Sequence, residues 1–66
     1  MISDEAMEIL LILTPEWMGI DNYNYLVMPP VRELLRLGLI ELKWIGGKTH
    51  IKITPRASQF VLNMFN

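Results

Sequence analysis

The chain has 66 residues, 52% of them hydrophobic, with a formal net charge of -1 and no cysteine. A chain of this length makes one domain, 1–66, that buries only about 60% of the surface its unfolded form exposes. The missing cysteines exclude a disulfide framework and a thiolate zinc site, and they fit a reducing compartment.

So high an apolar content, with no metal or bridge to staple the fold, leads us to expect a second copy covering part of the surface, hence a homodimer. The start "MISDEAME" carries acids and no lysine or arginine, which is not the basic beginning of a secretory signal. The longest aliphatic run, "ILLIL" from Ile9 to Leu13, is far short of the roughly 20 residues that span a bilayer. A soluble, cytoplasmic protein without membrane association is expected. Its small size, with a Met1 start and no linker at the end, suggests a complete reading frame of phage or mobile-element type.

The charges are sorted along the sequence. Asp4, Glu5, Glu8, Glu16 and Asp21 are the only charged residues up to Val31. From Arg32 onward six basic residues (Arg32, Arg36, Lys43, Lys48, Lys52, Arg56) face only Glu33 and Glu41, a local balance of +4. Such asymmetry either prepares the second half for an anionic partner or holds the two halves of a small domain together.

Ser3 or Asp4 can cap a first helix whose acidic opening turn suits the helix dipole, with Ala6, Ile9, Leu10 and Leu13 at helical spacing. Met7, Leu11 and Ile12 spread its apolar surface around the axis, and Leu11, with Leu62 of the last helix, marks the expected dimer surface. "TPEW" at Thr14 predicts a short turn of helix or 3₁₀ ended by Gly19. Asp21 can cap a short helix from Asn22 to Val27, and Pro29 drives Met28 to an extended conformation. Pro30 is then placed to open the next helix, with Val31, Leu34 and Leu35 facing inward, Arg32, Glu33 and Arg36 facing outward, and Gly38 as a left-handed stop.

"LIELKWIGGKTHIKITPRA", Leu39 to Ala57, predicts a hairpin about Gly46 and Gly47. A two-residue primed turn pairs Ile45 with Lys48, Trp44 with Thr49, Lys43 with His50, Leu42 with Ile51, Glu41 with Lys52 and Ile40 with Ile53. This register gathers Ile40, Leu42, Trp44, Thr49, Ile51 and Ile53 on one face, and sets Glu41 against Lys52 and Lys43 against His50 on the other. Thr54 and Pro55 then open a last helix whose stripe is Ala57, Phe60, Val61, Met64 and Phe65.

The order of elements, with "LLRLGLIEL" leading into "GGK" and then "IKITPRA", resembles the winged helix-turn-helix family. Leu35, Gly38, Leu39, Ile40, Gly46, Gly47, Ile53, Thr54 and Arg56 match its pattern in kind, from Pro30 to about Phe65. Ala57 stands where that pattern has glycine, and the segment between Leu13 and Pro30 lacks an evident second helix and tight turn. The resemblance implies an α+β, mostly helical winged helix: three N-terminal helical segments, a two-stranded antiparallel wing hairpin and a C-terminal helix. It also implies a transcriptional or phage-type regulator that binds double-stranded DNA with the helix from Pro30 and the wing around Lys48.

Lys43, Lys48, His50 and Lys52 share the polar face and tip of the hairpin, and Arg32 and Arg36 share one side of the preceding helix, an arrangement suited to phosphates flanking a groove. The plainer reading is a solvated edge hairpin kept from aggregating by its lysines. The helix lacks the Asn, Gln, Ser or Thr that commonly read base edges. That lack, the acidic first half and the near-zero net charge keep open an alternative function, a winged-helix module that binds a protein, as adaptor or inhibitor.

His50 is the single histidine, so a multi-histidine metal site within one chain is excluded, and a plain cross-strand residue is the simpler reading. Trp17 and Trp44 read as core or core-edge anchors, with Trp44 next to the turn open to partial exposure, and the five methionines as gap fillers. Tyr23 and Tyr25 divide between core and surface or present rings to a partner. Neither a phosphate-cradling glycine loop nor a nucleophile with its base is evident, so no catalytic residue, metal or cofactor is expected.

Overall fold

A computed structural model describes residues 2–21 and 27–65 of the chain. Its elements are α1 (Asp4–Ile12), β1 (Met18–Ile20), α2 (Pro29–Arg36), β2 (Ile40–Ile45), β3 (Lys48–Ile53) and α3 (Pro55–Phe65). Among the described residues these make an α+β fold of three helices and one antiparallel sheet, with strand order β1-β3-β2. No helix there is long and apolar enough to cross a membrane.

The first helix begins where Ser3 Oγ accepts the Ala6 N–H at 3.2 Å, with Asp4 and Glu5 in the first turn. The Ser3 N–H donates to Glu33 Oε2 at 2.8 Å, which ties the start of α1 to α2. Ala6 and Leu10 of α1 are buried, and Leu13, extended just past the helix end, is buried as well.

Met28, at φ -66 and ψ 138, has the extended conformation that a following proline favours. Pro29 and Pro30 occupy the first turn of α2, where no intrahelical N–H donor is needed. The other end closes in a Schellman arrangement about Gly38, at φ +73. The Leu39 N–H reaches Leu34 O at 3.0 Å and the Gly38 N–H reaches Leu35 O at 3.1 Å, while Leu34 and Leu39 are both buried.

Gly46 and Gly47, at φ 58 and 78, form the primed turn, and the six β2–β3 pairs from Ile45↔Lys48 to Ile40↔Ile53 follow the register expected from the sequence. Thr54 then joins three elements. Its Oγ1 donates to Gly38 O at 2.7 Å, behind α2, and accepts the Ala57 N–H at 3.2 Å to open α3. The buried core comprises Ala6, Leu10, Leu13, Val31, Leu34, Leu39, Ile40, Ile51 and Ala57, with Leu42, Ile53, Phe60 and Val61 packed around it.

The structure departs from the sequence expectations at several points. The hairpin is not a two-stranded unit: β1 pairs with β3 as Met18↔Ile51, Gly19↔His50 and Ile20↔Thr49, making a third strand. The turn expected at Thr14 is closed instead by its side chain, whose Oγ1 accepts the Glu16 N–H at 3.2 Å, and Gly19 lies within a strand rather than ending a helix. Leu35 is 45% exposed because the inner stripe of α2 is filled by Pro30, Val31 and Leu34. Met64 is exposed near the end of α3, past the core that Ala57, Phe60 and Val61 reach. Trp44 is not a core anchor: it lies on the core-facing side of the sheet but close to the tip, and is 70% exposed. The short helix Asn22–Val27, apart from Val27, and Tyr23, Tyr25, Met1 and the Phe65 side chain lie outside what is described.

Replacing Thr54 by Val keeps the shape but removes both hydroxyl contacts, so urea denaturation should show a loss of about 1.5–3 kcal/mol. Thr54→Ser should recover most of it. The reverse order, a Val variant as stable as wild type and a Ser variant that loses stability, would assign the effect to packing of the methyl group instead.

Candidate nucleic-acid interface

Because β3 is paired on both sides, its outward residues Lys48, His50 and Lys52 form the middle row of the solvent face, between outward residues of β1 and of β2. On the β2 side the row neighbours are Ile45, Lys43 and Glu41. On the β1 side Gly19 lies opposite His50, and continuing that register brings Asp21 beside Lys48.

Lys48 therefore does not extend freely from the hairpin tip. Its aliphatic arm crosses Gly19, where an added Cβ would stand 2.9 Å from Lys48 Cε, and its Nζ reaches Asp21 Oδ1 at 2.7 Å. The ammonium beside Asp21, by hydrogen bond and by charge, holds its carboxyl below the ordinary carboxylate range. Lys52 is also engaged: its Nζ lies 3.8 Å from Glu41 Oε2 and 4.7 Å from the ring centroid of Trp17, within cation–π range. Lys43 Nζ reaches the edge of that range at 5.9 Å from the same ring.

His50 turns inward toward its own strand, with Nδ1 3.0 Å from the Lys48 carbonyl oxygen. A carbonyl only accepts, so Nδ1 carries the proton in this contact. Arg56, outside the expected contact set, donates from Nη1 to Leu37 O at 3.4 Å and so helps satisfy the carbonyl end of α2.

Arg32 and Arg36 are exposed one turn apart on α2, and among the described residues no acid pairs with either. Lys43 likewise has no acidic partner there. The six expected contact residues thus separate into three cations without acids, two lysines held by carboxylates, and a histidine bonded to its own strand. The arginines share their surroundings with exposed Leu35 and Leu37, so this side of α2 is mixed rather than purely basic.

Two participants escaped the sequence reading. Asp21 reads as a helix cap until β1 is known to continue toward it, and Trp17 reads as a core anchor until its half-buried ring is seen beneath Lys52. Alternation in "WMGID", with Trp17, Gly19 and Asp21 on one side, is the one signal that points to both. Among the described residues no group of His, Asp or Glu is placed to hold a metal ion. No family model matches the chain, and neither curated proteins nor solved structures yield a match.

Asp21 makes acid stability a test of the pair. Its folded pKa lies below the ordinary value of about 3.9, so the stabilisation is fully present above that value and is lost as pH falls through the folded pKa. Thermal melts of wild type should therefore show an extra decline below about pH 4 that Asp21→Asn lacks. Parallel curves over the whole range would mean that the pair is not formed in solution.

Proposed function

We propose that this chain is a winged-helix protein that binds double-stranded DNA as a homodimer, with α2 toward the groove and the β2–β3 hairpin as its wing, in the role of a small regulator. The element order and the sheet order β1-β3-β2 support that reading, since the hairpin directly follows α2 and its central strand also pairs with β1. The observation that carries it is the pair Arg32 and Arg36, exposed on one side of α2 with no acid among the described residues to neutralise them. Guanidinium groups one turn apart suit phosphates, or a phosphate and a guanine edge.

The contact set we favour is smaller than the sequence implied. Arg32 and Arg36 lead, Lys43 can add to them, and Lys48 and Lys52 must first leave Asp21 and Glu41. Those two ion pairs, with the exposed Trp44, Leu35 and Leu37, favour the second reading, a module that binds a protein through a mixed apolar and cationic surface.

Salt dependence separates the two readings. Duplex affinity should fall with salt at a log-log slope of roughly -0.9 per phosphate contacted. Arg32→Ala and Arg36→Ala should each make the slope shallower by about one unit. Lys48→Ala should change it little, while Asp21→Asn should steepen it by releasing the lysine. If wild type shows no salt-sensitive association with mixed duplex at low ionic strength and tens of micromolar protein, where weak non-specific binding is normally seen, the DNA reading fails and the protein-partner reading takes its place.

A further inference from the structure

β2 is an edge strand of six residues without a proline and without a bulge in its register, so it lacks two usual defences of a sheet edge. The primed two-residue turn makes Ile45↔Lys48 a hydrogen-bonded pair, and bonded pairs then alternate along the hairpin. Lys43 and Glu41 accordingly bond toward β3, whereas Ile40, Leu42 and Trp44 turn their N–H and C=O groups away from it. Two contacts at the far end agree with this phase: the Ile53 N–H leaves β2 to reach Thr14 O at 3.0 Å, and the Thr54 N–H turns toward Leu39 O at 3.1 Å. Among the described residues nothing receives the outward backbone groups of Ile40, Leu42 and Trp44.

We propose that two copies of the chain pair antiparallel along these edges, centred on Leu42, to make one continuous sheet. In that register Leu42 meets the partner subunit's Leu42, and Ile40 meets the partner subunit's Trp44. All of these positions present outward N–H and C=O groups, so the edge is satisfied over its whole length. The charges select the same register. Glu41 and Lys43 lie on the polar face, and pairing about Leu42 places each Glu41 beside the partner subunit's Lys43, twice by symmetry.

Neighbouring registers fail on one ground or the other. A slip of one residue points outward groups at residues whose groups turn inward. A slip of two sets Glu41 against Glu41 or Lys43 against Lys43. The favoured register also gives the exposed ring of Trp44 an apolar neighbour on the core side of the sheet.

This interface specifies the surface of the homodimer proposed above, and places it along β2 rather than at the Leu11 and Leu62 surface expected from the sequence. It stands apart from DNA binding, because sedimentation without nucleic acid reads only the interface and the salt titration reads only the DNA reading. Glu41→Lys and Lys43→Glu are exposed changes that each turn both cross-strand pairs repulsive in a homodimer. Sedimentation equilibrium should show a wild-type dimer and, for either variant, a dissociation constant raised by about tenfold or more. Mixing the two variants should restore association, because in the heterodimer both pairs become attractive again.

A readout on the unmodified chain complements these. Amide exchange at Leu42 and Trp44 should slow as protein concentration rises, while that at Glu41 and Lys43, bonded within the hairpin, should not depend on concentration. A wild type that stays monomeric at about 100 µM would overturn the proposal, since even weak specific association registers there. Folded single variants that dimerise like wild type, a mixture that does not associate, or exchange at Leu42 that ignores concentration would each overturn it as well.

Discussion

The arrangement depends on β3 being the central strand. A strand bonded on both edges has no freedom of register, and its period of two fixes every side chain to one face. Ile51, fully buried, and Ile53 are thereby committed to the core, and Lys48, His50 and Lys52 to the solvent face. Both neighbouring strands inherit that phase. The three residues of β1 would not hold an extended conformation alone, yet pairing with β3 places Met18 and Ile20 on the core side and brings Asp21 beside Lys48. The electrostatics of the hairpin follow from a backbone constraint rather than from attraction between charges.

The sorting of acids and bases along the chain has a double meaning in the fold. Asp21 holds Lys48 and Glu33 accepts a backbone N–H from Ser3, so both contacts join the N-terminal part to the C-terminal part. To that extent the asymmetry serves cohesion. It does not absorb Arg32 and Arg36, which are exposed on α2 and have no acidic partner among the described residues, while Asp4, Glu5, Glu8 and Glu16 are exposed elsewhere. Surface pairs of this kind contribute little to stability, and their larger effect is on which cations remain available to a partner.

The hairpin was legible because three independent signals agree: the Gly46–Gly47 turn, the apolar alternation and the opposed Glu41 and Lys52. Gly38 and Thr54 were legible for a similar reason, each being the residue type that its backbone role demands. β1 was not legible, since three residues that include a glycine cannot establish a period. The inward position of Leu35 was misread because α2 has only eight residues, and Pro30, Val31 and Leu34 already fill its inner stripe. At the site, the hairpin register already set Lys52 against Glu41, but residue type said nothing of what would hold Lys48. Long-range pairing decides that, and long-range pairing ran through the strand that the sequence hid.

Exposed Leu11, Ile12, Leu35, Leu37, Trp44 and Leu62 are a large apolar surface for a domain whose buried core, among the described residues, has nine hydrophobic residues. A small core leaves little stability to spare, so any surface covered by a second copy stabilises the fold by mass action and makes unfolding depend on concentration. An interface along β2 would meet that need at an edge of the sheet while engaging Lys43 with the partner subunit's Glu41. Among the described residues of the candidate site, the cations left without an acid would then be Arg32 and Arg36 from each copy, related by the two-fold axis. A symmetric pair of short basic helices addresses a symmetric ligand, and two half-sites on a duplex have that symmetry. In such a dimer the hairpin would serve more as the spine of the assembly than as a lysine-bearing wing, and the proposed nucleic-acid contact would fall to α2.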